Sequence, residues 1–135
     1  MHWTLAGLIA GVVAYVADYV MWGKVFTKGM DQYGTLEGAQ ERMGGMLAKS
    51  AGLAIGWGTL LAFIYRQLMN SLWIPPGALA GMEFATSIWL VTIAFASIGA
   101  GIWYDKARRL LHAQLWAWLV RLNAAGLALG ILIKA

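Results

Sequence analysis

Two charged residues lie inside long apolar stretches of the sequence, where an ionised side chain is costly. Asp18 stands near the end of the first apolar stretch, and Arg121 stands near the middle of the last one. Insertion into a membrane costs about 2.5–3.5 kcal/mol for either side chain at the centre of a helix. Because opposite charges offset this cost, we predict an intramembrane ion pair of Asp18 and Arg121, with Tyr19 and Asn123 as hydrogen-bonding neighbours.

A second chemistry is open to the same two residues. A proton- or cation-coupled transporter would also place an acid within the membrane, as a site that gains and loses a proton. An arginine beside the acid weakens this hypothesis, because its charge stabilises the ionised carboxylate. We favour the structural pair and keep, as the alternative, a small homo-oligomeric transporter or channel that uses Asp18 and Arg121.

Two further charges lie about one helical turn inside the opposite membrane surface. Arg66 is near the end of the second apolar stretch and Glu83 near the start of the third, so we predict an outer-side ion pair between them. Lys49 and Lys134 lie close to the ends of their stretches. Their long side chains can extend to the surface and need no partner inside the membrane.

The rest of the sequence lacks the groupings that catalysis or metal binding requires. There is no cysteine, and the predicted topology places His2 and His112 at opposite membrane faces, too far apart to share a metal or a haem. No phosphate-binding loop, nucleophile elbow, zinc signature or pair of carboxylates is present. We predict no catalytic residues, no metal site, no cofactor and no enzymatic activity. Interfacial anchoring explains most of the eight tryptophans, whereas Trp57 and Trp89 fall near mid-membrane.

Four apolar stretches account for most of the chain. Hydrophobic residues make up 61% and charged residues 12% of the 135 residues, against roughly 45–50% and about 25% in a soluble domain. The stretches cover about residues 3–23, 46–69, 80–104 and 111–133, and each is close to the ~20 residues that cross a bilayer as a helix. We predict an all-α polytopic membrane protein: a single domain, residues 1–135, built as an antiparallel bundle of four transmembrane helices.

The connections predict how the chain lies in the membrane. Pro75 and Pro76 should end the second span, and Thr35 should begin a short surface helix that continues to Met43. Seven basic residues fall on the side of the first and third connections and two on the other: Lys24, Lys28, Arg42, Lys49, Lys106, Arg108 and Arg109 against Arg66 and Lys134. By the positive-inside rule, the first side should be cytoplasmic and both termini should lie on the non-cytoplasmic side.

Small residues recur four positions apart in each predicted span, which places them on one face of a helix. The four pairs are Gly7 and Gly11, Gly52 and Gly56, Ser97 and Gly101, and Gly126 and Gly130. Missing side chains let a second helix approach closely. We predict that these pairs pack helices within one chain, and we keep a contact between copies of the chain as the alternative.

A short phrase at the end of the first span resembles a feature of a family of small bacterial four-helix membrane proteins, known as a domain of unknown function. Their first helix typically ends in an aromatic-Gly-Pro-aliphatic-Phe-Gly-Lys phrase. Trp22, Gly23, Phe26 and Lys28 match it, whereas Lys24 and Thr27 replace the proline and the second glycine. The last span, from Leu119 to Leu132, also resembles that family's final helix. The resemblance implies a fold and an inner-membrane location, and it carries over no catalytic residues.

These observations favour a non-catalytic integral membrane protein that acts through its helix surfaces. The expected partners are the lipid bilayer and other membrane-protein subunits or a second copy, so the leading hypothesis is an accessory or assembly subunit of a larger membrane complex. Basic residues are scattered between apolar stretches, so no nucleic-acid partner is expected. A membrane enzyme acting on lipid or quinone would need a polar cluster that the sequence does not show.

Overall fold

The architecture is helical throughout the part of the chain that the computed structural model describes, residues 1–22 and 43–134. Its five α-helices are α1 Trp3–Val20, α2 Met43–Leu68, α3 Ala78–Ile88, α4 Phe95–Trp103 and α5 Arg108–Leu132. The surface helix predicted from Thr35, the basic residues Lys24, Lys28 and Arg42, and most of the family-like phrase after Trp22 lie outside the described residues.

Four helical spans in the described ranges are long and apolar enough to cross a membrane. Helices α3 and α4 form one of them, because the π-helical segment Trp89–Ala94 joins them without a break. The spans are Trp3–Val20, Gly44–Ser71, Ala78–Trp103 and Asp105–Leu132. Length and composition therefore indicate a multi-pass membrane protein.

Local chemistry explains where the spans begin and end. His2 precedes α1, and its Nδ1 accepts a hydrogen bond from the backbone N–H of Thr4, one of the donors that a helix start leaves unpaired. Pro75 and Pro76 lie in the connection between α2 and α3, where proline cannot continue a helix. Between α4 and α5, the side chain of Arg108 bonds to the Gly101 carbonyl and to the Asp105 carboxylate.

Helices α1 and α2 touch backbone to backbone. A methyl group added to Gly7 would lie 2.7 Å from Thr59 Cα, and one added to Gly11 would lie 2.9 Å from Ile55 Cα. From the other side, a methyl group on Gly58 would overlap the backbone of Gly7 and Gly11. Glycine is therefore required at these three positions for the two helices to come this close.

Helices α3 and α5 meet in the same way. A methyl group on Gly81 would overlap the carbonyl of Gly126, and one on Gly126 would overlap the carbonyl of Gly81. Gly130 approaches the backbone of Gly77 and Ala78 one turn further along. Helix α1 also packs on α5, so α5 connects the two glycine-mediated helix pairs.

The structure places the predicted small-residue pairs in different environments. Gly7, Gly11, Gly126 and Gly130 lie at the close contacts, together with Gly58 and Gly81, which the four-residue spacing did not single out. Gly52 and Gly56 differ from the expectation of packing within one chain, since added methyl groups there would meet no atom of the described residues within 4 Å. Gly101 is buried beside Arg108, and Ser97 lines a cleft between α4 and α5.

The interior is built largely from small side chains, and large apolar side chains cover the outside. Alanines from α1, α2, α3 and α5 are fully buried, and the largest fully buried side chains in the described ranges are Tyr65, Leu122 and Leu129. Among the described residues no charged side chain is fully buried, and the buried Tyr65 hydroxyl has no hydrogen-bond partner there. Leu53, Val91 and Phe95 are 76%, 74% and 70% exposed, as expected of helices that face lipid instead of water.

Candidate functional site

Helices α1 and α5 bring together the two charges that the sequence singled out. The Arg121 Nη1 atom lies 3.5 Å from Asp18 Oδ2, and the two side chains are 15% and 31% exposed. Since α1 packs on α5, an acid on one helix can reach a base on the other. The contact neutralises two charges that would each be costly alone in hydrocarbon.

Two tryptophans enclose the guanidinium of Arg121. Its Cζ atom lies 4.8 Å from the ring centre of Trp57 on α2 and 4.5 Å from that of Trp118 on α5. The two indole rings are 6.0 Å apart and meet edge to face. A cation over a tryptophan face gains about 0.5–1 kcal/mol when exposed and about 2 or more when desolvated. Three helices therefore hold this one arginine.

The carboxylate of this cluster has a second partner. Asp18 forms a side-chain hydrogen bond with Trp22, whose indole N–H is the only donor on that side chain. The Arg121 Nε atom is buried and has no hydrogen-bond partner among the described residues. The arrangement positions and neutralises the charge of Arg121, as expected of a structural contact between helices.

The predicted hydrogen-bonding neighbours of the pair lie elsewhere. The Asn123 amide donates to the Leu119 carbonyl 2.9 Å away, and its Oδ1 accepts from the Thr86 hydroxyl on α3 at 3.2 Å. Asn123 therefore faces α3, because two residues along a helix turn the side chain away from the direction of Arg121. Tyr19 is 62% exposed and points away from the interior.

Arg66 and Glu83 are not brought together. The Glu83 carboxylate accepts hydrogen bonds from the backbone N–H groups of Trp73 and Ile74, both at 2.9 Å. These donors belong to the connection before α3, where no helix or sheet bond satisfies them, and a carboxylate that accepts two of them forms strong charge-assisted bonds. Glu83 thus fixes the connection to α3, and within the described ranges no carboxylate bonds to Arg66.

A second aromatic group lies where the π-helical segment meets α5. The indole N–H of Trp89 donates to the Leu115 carbonyl at 2.8 Å. The rings of Trp89 and Trp116 are 6.1 Å apart, and those of Trp116 and His112 are 6.2 Å apart. Trp89 therefore links the third span to α5 by a hydrogen bond. In hydrocarbon no water competes for its donor or acceptor.

Sequence reasoning missed the role of the tryptophans at Arg121. The signal for Trp118 was available, since Trp118 and Arg121 are three residues apart and so are neighbours on a helix. Trp57 carried no such signal, because its contact depends on how α2 is rotated against α5. Over the part of the chain that the structure describes, no three His, Cys, Asp or Glu residues cluster as metal ligands would.

The fold and the site together define a class: a four-span helical bundle whose spans are joined by glycine contacts and by one charge cluster. Comparison with known proteins adds no further assignment, since no family model, no curated protein and no solved structure matches the chain. The resemblance to the domain of unknown function therefore stays a prediction.

Proposed function

We propose that the chain is a non-catalytic, multi-pass inner-membrane protein that acts through its helix surfaces as an accessory or assembly subunit of a larger membrane complex. The observation that carries the proposal is a cluster of polar side chains, the polar patch, on a largely apolar outer surface. It forms part of a groove of about 420 Å³ on α3 and α5, lined by Ile74, Leu79, Met82, Glu83, Thr86, Ser87, Leu90 and Asn123.

The polar patch, which consists of Glu83, Thr86, Ser87 and Asn123, lies among side chains that would face lipid. Thr86 and Ser87 are exposed, and their flanking residues Leu79 and Leu90 are 65% and 48% exposed. The Thr86 hydroxyl donates to Asn123 Oδ1 at 3.2 Å, and the Ser87 hydroxyl donates to the Glu83 carbonyl at 2.8 Å. Each hydroxyl oxygen can still accept a hydrogen bond, for which lipid tails supply no donor. A helix of another membrane protein can supply one, and such interhelical hydrogen bonds contribute about 0.6–2 kcal/mol each.

The interior supports the same proposal. Small residues fill much of it, and no charged residue in the described ranges is fully buried, which favours a protein that acts through its surfaces. For the transporter alternative, the partly exposed Asp18–Arg121 pair is the favourable feature. The tryptophans around Arg121 and the carboxylate that neutralises it favour a fixed contact over a site that exchanges protons.

The proposal includes an orientation. Two contacts favour an antiparallel arrangement of α1 and α2. Gly7 lies against Thr59 and Gly11 against Ile55, so residue numbers increase along α1 in the direction in which they decrease along α2. The excess of basic residues on the side of the Asp105–Arg109 connection favours that side as cytoplasmic, with both termini on the other side.

Stoichiometric co-purification tests the proposed function. We expect the tagged chain, after mild solubilisation of its native membranes, to bring down a constant ratio of other membrane-protein chains. Ser87→Leu should lower their yield at least about fivefold, since losing an interhelical bond of about 1 kcal/mol and filling the groove both oppose docking. Thermal unfolding of the isolated chain should not change.

Val91→Leu is the matched control, because it adds a leucine on the same span at a position that is 74% exposed and outside the groove. It should keep the partner chains. A chain that purifies without partners and moves protons in liposomes until Asp18→Asn is introduced would replace the subunit proposal with the transporter alternative.

A further inference from the structure

One end of the bundle carries a cleft with a basic rim and an apolar floor, which we call the basic cleft. It has a volume of about 380 Å³. It lies where α1 begins and where α2 and α5 end, and its lining includes His2, Trp3, Arg66, Met69, Ile133 and Lys134. Met69 and Ile133, at the floor, are 3% and 4% exposed, whereas Arg66 and Lys134 are exposed.

One cation of the basic cleft, Arg66, lies on α2, and the other, Lys134, follows the end of α5; no carboxylate of a described residue lines the cleft. Neither Arg66 nor Lys134 has an ion pair within the described ranges. Glu83, the acid nearest to Arg66 by sequence reasoning, is held by the backbone of the connection before α3. Like charges that share a cleft repel one another. An anion bound between them would be attracted to both cations and would offset their repulsion.

We propose that the basic cleft binds the phosphate headgroup of an anionic phospholipid. Arg66 and Lys134 contact the phosphate, while the floor of Met69 and Ile133 takes the first carbons of the lipid. Basic pockets between transmembrane helices bind such headgroups on the cytoplasmic side of membranes. The same attraction between cations and a phosphate acts at this end of the bundle, which we propose to be non-cytoplasmic, and tryptophans such as Trp3 concentrate at that depth of a bilayer. The proposal requires membrane residence but not the subunit role, so co-purification and lipid binding can fail independently.

Native mass spectrometry of the full chain, released from detergent with defined lipids, tests the proposal. Phosphatidylglycerol should bind more tightly than phosphatidylcholine. Arg66→Gln and Lys134→Gln should each weaken phosphatidylglycerol binding about fivefold, the factor expected when one basic residue near an anionic surface is lost. Phosphatidylcholine binding should not change with either variant.

Lys49→Gln is the matched control, because it removes the same charge from an exposed position on α2 outside the basic cleft. It should leave the affinity for phosphatidylglycerol unchanged. Equal binding of the two lipids, or an equal loss with Lys49→Gln, would overturn the proposal. Inorganic phosphate that binds the wild type while phosphatidylglycerol does not would overturn the lipid assignment and leave a free-anion site. If Arg66→Gln fails to fold, the exposed Lys134 variant decides.

Discussion

Gly81→Leu is expected to destabilise the folded bundle strongly. A side chain at this position overlaps the Gly126 carbonyl from its first carbon onward, so no rotamer avoids the clash and α3 must move away from α5. Overpacking a core typically costs about 1–3 kcal/mol, and this substitution should reach or exceed the upper end, since it separates two backbones. Thermal unfolding of the detergent-purified protein, followed by circular dichroism, measures the effect.

Gly56→Leu provides the control for this prediction. It places the same side chain on an apolar span where an added carbon meets nothing within 4 Å, so the unfolding temperature should stay near that of the wild type. Equal losses for the two variants would show that the effect is general to glycine in these helices and would refute the close contact between α3 and α5.

Asp18→Asn and Arg121→Gln should both lower the free energy of unfolding, and the double variant should lose less than their sum. Removing either partner leaves the other charge uncompensated, which costs about 3–5 kcal/mol when a pair is fully buried. Asp18 is 31% exposed, so we expect about 2–3 kcal/mol for Asp18→Asn by this principle. A double-mutant cycle on chemical or thermal unfolding in detergent measures the coupling.

The same cycle separates the ion pair from the aromatic contacts. Arg121→Gln also removes the cation between Trp57 and Trp118, so it should cost more than Asp18→Asn by about 1–2 kcal/mol. Arg121→Lys keeps the charge and loses the planar stacking. Its free energy of unfolding should therefore lie between that of the wild type and that of Arg121→Gln. Additive losses for Asp18→Asn and Arg121→Gln would rule out the pair.

Much of the fold was predictable because lipid imposes simple requirements on a sequence. A span needs a certain length, few charges and satisfied backbone groups, and the four apolar stretches meet these conditions. The Pro75–Pro76 connection was equally clear, since proline marks its own position. Helix α3 continues into α4 through the π-helical segment at Trp89, a change of helical pitch that apolar composition does not reveal.

The choice of helix contacts was less predictable, because spacing fixes which residues share a face but not which face meets a neighbour. Gly52 and Gly56 have the same spacing as Gly7 and Gly11, yet they face outward while Gly58 meets α1. Rotation of α2 about its axis decides this, and it depends on the summed packing of all the spans. A repeat of small residues therefore predicts a contact without naming its partner.

The partner of a charge is similarly hard to read from position along a span. Arg66 and Glu83 have compatible depths, but the backbone N–H groups of Trp73 and Ile74 lie nearer to the Glu83 carboxylate. A connection exposes donors whose positions depend on its conformation, which the sequence pattern does not specify. Asp18 and Arg121 had fewer competitors, because helical backbone inside a span keeps its own donors paired.

Single-cysteine labelling in intact cells tests the central claim most directly, namely that the apolar helices of this chain span a lipid bilayer. The chain has no cysteine of its own, so Trp73→Cys and Lys106→Cys report on the two connections separately. A membrane-impermeant thiol reagent should label the first variant in intact cells and the second only after permeabilisation. Equal labelling of both variants before permeabilisation, or recovery of the chain as a dissolved monomer without detergent, would contradict the account.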